Sequence, residues 1–82
     1  MTTIKNWAEA GEWTRGKPAL LVMRGEYDGS ELVDPPVTVH CVPIDDINEW
    51  EAALAALGYR KTAGAREEAT EYGIAFDVEA AS

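Results

Sequence analysis

The sequence predicts an α+β domain in which a small antiparallel sheet of about four strands, in ββαββ order, packs on one main helix, with a short helix ahead of it at the N-terminus. Three observations carry that expectation. An apolar stripe at helical spacing runs through residues 44–59, alternation marks residues 72–78, and an unbroken apolar run at 19–23 is bounded by breakers.

In chain order, Thr2 or Thr3 can cap a brief helix in which Ile4, Trp7 and Ala8 share a face, with Gly11 cutting it short. Gly16 and Pro18 punctuate the chain, and the following Ala19-Leu20-Leu21-Val22-Met23 is too short for a helix, so it reads as a strand covered on both faces. Residues 26–36 form a loop, with Asp28-Gly29 as its turn signal and Pro35-Pro36 extending the backbone into the next strand. That strand, 37–42, alternates Val37, Val39 and Cys41 on one face with Thr38, His40 and Val42 on the other. In the central helix Ile47, Trp50, Leu54 and Leu57 make the buried stripe. Asp46 and Glu49 form a capping-box pattern, Asp45 offers a competing cap, and Gly58 can stop the helix in the left-handed conformation with Tyr59 closing over Leu54. A short polar strand at 59–63 and a turn region at 64–69 follow. The last strand, 71–78, puts Tyr72, Ile74, Phe76 and Val78 on its apolar face. If the helix covers the Leu21 side of the first strand, Leu20 and Val22 need Trp7 and Trp13, or a second copy of the protein, to cover them.

Eighty-two residues suffice for one domain with one small core. The single cysteine, Cys41, excludes an intramolecular disulfide and points to a reducing, cytoplasmic setting. No apolar run is long enough for an export signal or a membrane span. The net charge of −8 is unevenly placed. Residues 25–59 hold Glu26, Asp28, Glu31, Asp34, Asp45, Asp46, Glu49 and Glu51 and contain no lysine or arginine. A block of one sign repels nucleic acid and anionic membranes and attracts basic protein surfaces.

Chemistry-bearing motifs are lacking. His40 and Cys41 are adjacent in a strand, so their side chains leave on opposite faces and cannot act as a nucleophile and its base. Cys41 reads as a small core residue and His40 as a solvated or hydrogen-bonded one. Asp45, Asp46, Glu49 and Glu51 are accounted for by the free N–H groups and dipole of a helix start, and Glu26, Asp28, Glu31 and Asp34 lack calcium-loop spacing. No glycine-rich phosphate loop occurs. The expectation is therefore no catalytic residue, metal or cofactor. Lys5, Arg15, Lys17 and Arg24 are too few to drive binding to nucleic acid, although with Trp7 and Trp13 they leave the N-terminal third as a contact surface.

The charge layout supports two readings of function. One is a non-enzymatic interaction protein whose eight mid-chain carboxylates imitate a nucleic-acid backbone and occupy a basic surface, such as that of a nucleic-acid-binding complex. In size, acidity and absence of motifs the chain resembles the small phage-encoded inhibitors of bacterial defence, the anti-CRISPR and anti-restriction proteins. That resemblance is one of properties and assigns no residue. The other reading is a small accessory or ligand-binding domain, a homodimer through an apolar sheet face holding Leu20, Val22, His40 and Val42, in which the acids only keep the protein in solution.

Overall fold

A computed structural model describes residues 2–14 and 16–81 of the chain. It replaces the expected four-stranded sheet on a main helix with a seven-stranded, wholly antiparallel sheet and one short helix. The largest departure is at the N-terminus, where no helix forms. Residues Thr2–Thr14 are one long strand, β1, at the centre of the sheet, paired on one side with β2 (Lys17–Asp28) and on the other with β7 (Gly73–Ala80). The helical spacing of Ile4, Trp7 and Ala8 is overridden by these long-range pairings, because Ala8 and Ala10 pack fully buried on one face while Lys5, Trp7 and Glu9 take the other.

Strand β2 is about twice the expected length and continues through Asp28 to a turn at Gly29-Ser30. The chain then returns along the same edge as β3 (Glu31–Leu32) and β4 (Val37–Pro43), with residues 33–36 as an excursion between them. The expected 26–36 loop is therefore mostly a hairpin. The other edge is built the same way, since β5 (Tyr59–Lys61) and β6 (Glu68–Ala69) both pair with β7. The sheet curls strongly enough that His40 on one edge and Tyr59 on the other meet edge to face, with ring centroids 5.9 Å apart.

The concave face holds the core. Leu20, Val22, Ala8, Ala10, Phe76 and Val78 are buried there beneath Leu54 of the helix, and Ile74 packs beside them. The expected alternation of the last strand is thus observed, except that Tyr72 precedes the strand and is exposed. The faces of β2 are the reverse of those expected. Leu20 and Val22 lie under the helix and Leu21 faces away on the side of Trp7, which therefore does not cover the former pair.

The helix, expected at about 12 residues between an Asp46 cap and a Gly58 stop, opens with a 3-10 turn at Ile47–Glu49 that leads into a short α1 at Trp50–Ala56. Asp46 is the cap, its side chain accepting from the Asn48 N–H at 2.8 Å. Ile47, Trp50, Leu54 and Leu57 do form the inward stripe, with the Trp50 and Phe76 ring centroids 4.4 Å apart. Gly58 ends it at φ 88°, as the left-handed stop requires.

In β4 a bulge between Thr38 and His40 shifts the register, so Val37, His40 and Val42 share the concave side and Thr38 and Cys41 the convex side. The expected face assignment fails for Val37 and Thr38 for that reason. Cys41, expected in the core, is exposed, because it sits on an edge strand and on the face that no helix covers.

Candidate interaction surfaces

The lengths of the elements decide what stays uncovered. Strands β1 and β2 are 13 and 12 residues long, or about 40 Å each at roughly 3.3 Å per residue. The seven residues of α1 rise only about 10 Å, and the 3-10 turn adds about 6 Å. One end of the concave face is therefore roofed and the other is open.

At the roofed end, the Ile44 N–H donates to the Pro18 carbonyl at 3.1 Å, and Pro18 pairs with Glu12, whose own N–H donates to Tyr72 O at 3.1 Å. These links gather Asp45, Asp46, Glu49 and Glu51 with two acids that sequence reasoning passed over, Glu12 and Glu71. The signal for those two was absent from local sequence, since only pairing brings residues 12 and 71 beside the helix start. Among the described residues Glu12, Asp45, Glu49, Glu51 and Glu71 make no ion pair.

The other expected acids, Glu26, Asp28, Glu31 and Asp34, lie at the β2–β3 hairpin, the opposite end of the same strand. Ten steps along β2 lead from Pro18 to Asp28, a path of about 33 Å along the strand. The continuous acidic block of the sequence thus becomes two acidic ends rather than one surface.

Beside that hairpin the open end of the concave face forms a groove of about 430 Å³. Ile4, Pro35, Val37 and Val39 supply its apolar lining, and Arg24, Glu26 and Asp34 its charged walls. Ile4, Val37 and Val39 are 47%, 62% and 41% exposed, large values for aliphatic side chains in strands.

The convex face carries no helix. Trp7, Leu21, Met23 and Tyr27 lie on it half-buried, and Cys41 exposed. Trp7 meets Tyr27 edge to face at 6.3 Å, and Lys5 Nζ stands 5.0 Å from the Tyr27 ring centroid. Gly25 leaves room beneath this cluster, since a Cβ there would stand 2.9 Å from two Trp7 ring carbons and 3.0 Å from Leu32 Cδ1, and those side chains would have to shift. A cleft of about 590 Å³ runs from these rings to the 62–67 loop, with Lys5 and Arg66 balanced by Glu68 and Asp77. The sheet face proposed from sequence as apolar and exposed, with Leu20, Val22, His40 and Val42, is in fact the covered one. The alternation Lys5, Trp7, Glu9, Gly11 was the signal that could have identified the convex face.

His40 and Cys41 leave on opposite faces, and Glu9 is engaged by the Thr70 hydroxyl, which donates at 2.9 Å. Among the described residues no three His, Cys, Asp or Glu side chains converge to hold a metal ion, and no helix is long and apolar enough to cross a membrane. No family model matches the chain, and neither a curated protein nor a solved structure matches it.

Proposed function

We propose that the protein is a non-enzymatic binding protein that occupies a basic macromolecular surface with its acidic ends, in the manner of a nucleic-acid mimic. The observation that carries this reading is the gathering of Glu12, Asp45, Glu49, Glu51 and Glu71 at one end without ion pairs among the described residues. Carboxylates left without internal partners project a negative field, and basic sites built for phosphate respond to such a field. The second acidic group lies toward the other end of β2, so a basic surface broad enough to reach both ends could engage both.

The test is capture of basic proteins on the immobilised protein at low salt, followed by competition with duplex DNA. Retained protein should be released by the duplex and by moderate salt. Reversal of Asp45, Glu49 and Glu51 to lysine should remove retention, with Asp46 left in place because its cap holds the helix start. Retention indifferent to duplex and to these reversals would refute the proposal.

One observation favours a second reading, in which the protein pairs with another copy. Trp7, Leu21, Met23 and Tyr27 stand together, half-buried, on a sheet face that no helix covers among the described residues. Sedimentation separates the two, because a pair held by this face should persist or strengthen in high salt and dissociate on Leu21→Lys.

A further inference from the structure

The open end of the concave face has both shape and charge, and we infer that it is a docking groove for a polypeptide segment carrying apolar side chains flanked by lysine or arginine. The inference rests on the reading of the protein as a binder of basic surfaces and names what such a partner presents at this end.

The groove exists because α1 is too short to roof the strands beneath it. Under the helix, strand residues of this face are closed over by Leu54. Beyond it, Ile4 pairs with Glu26 and Val37 with Arg24, and both aliphatic side chains are exposed. The lining is apolar at Ile4, Pro35, Val37 and Val39, and the rim is mostly acidic at Glu26 and Asp34, with Glu31 just beyond at the hairpin. Arg24 is the one cation in the wall.

Charge selects the occupant. A second copy related by a two-fold axis would set this acidic rim against itself, and an anionic lipid surface or a nucleic acid would meet the same repulsion. A segment with an apolar centre fills the groove, while lysines or arginines on either side reach Glu26, Glu31 and Asp34. Apolar burial then supplies affinity, and the rim supplies orientation and on-rate.

The probes are synthetic peptides: leucines flanked by lysines, a lysine-only peptide of equal charge, and leucines flanked by glutamates. Binding is read by calorimetry and by amide shifts of the isotope-labelled protein. The leucine–lysine peptide should bind about tenfold or more tighter than the lysine-only peptide, since burial of one or two aliphatic side chains is worth that much. Its shifts should centre on Ile4, Val37 and Val39. The double change Ile4→Ser and Val37→Ser should remove the excess and leave lysine-only binding intact. Equal binding of the two lysine peptides, shifts centred on the helix end or convex face, or equally tight binding of the glutamate peptide would overturn the groove. Failure of the acidic reading looks different: the lysine-only peptide would not bind at all, while the leucine–lysine peptide still mapped to the groove.

Discussion

The two ends of the concave sheet face share strands β1 and β2, with β4 beside them, yet have opposite fates. At one end Leu20 and Val22 of β2 and Ala8 and Ala10 of β1 are completely buried. A few residues along, Ile4 is 47% exposed and Val37 on the neighbouring strand 62%. The difference is imposed by the helix, which is long enough for one end only. It divides the face, with the fully buried side chains concentrated under α1 and aliphatic side chains left exposed at the open end. Substitutions test that division directly.

The largest effect is expected from Leu54→Ala. Leu54 is 1% exposed and lies on the fully buried strand residues, so its truncation leaves a cavity that the curled sheet cannot collapse into, costing about 2–5 kcal/mol. Urea denaturation should show a lower midpoint with an unchanged slope. A loss below about 1 kcal/mol would mean that the core does not depend on the helix.

On the convex side Gly25→Ala should cost about 1–3 kcal/mol, because the new methyl would press on the Trp7 ring and Leu32. The Trp7 indole N–H resonance should shift while that of Trp50 stays in place. Smaller again is Asp46→Ala, which removes the cap on the Asn48 N–H and should cost about 1 kcal/mol, with exchange protection lost first around residues 47–51.

How far this layout could be read from the sequence depended on whether a local pattern had a sign. Alternation at Ile74, Phe76 and Val78 and the stripe at Ile47, Trp50, Leu54 and Leu57 name their buried sides, and Gly58 names its stop; these were legible. Residues 19–23 are apolar throughout, so no alternation says which side meets the helix, and the faces of β2 came out reversed. The segment around Ala8 and Ala10 has helix-forming residues at helical spacing and becomes a strand only because β2 and β7 claim both its edges. Its alanines are small where the helix side closes down, a requirement visible only after folding. The eight mid-chain acids were legible as charge but not as geometry, since β4 runs back along β2 between Asp34 and Asp45 and carries the two halves apart.

The smallest expected effect sharpens the comparison most. Ile4→Ser and Val37→Ser, singly or together, remove apolar side chains from strand positions, and in the roofed half such changes would cost several kilocalories. Here both side chains already face solvent, so little apolar surface is lost from the core and each change should alter stability by no more than about 0.5 kcal/mol. The denaturation midpoint should stay within that margin. A larger loss would show that the open end is part of the core, and its aliphatic side chains would then need no partner to explain them. An unchanged midpoint leaves exposed aliphatic surface that stability does not require, beside an acidic rim, which is the condition under which a binding role for this end gains its force.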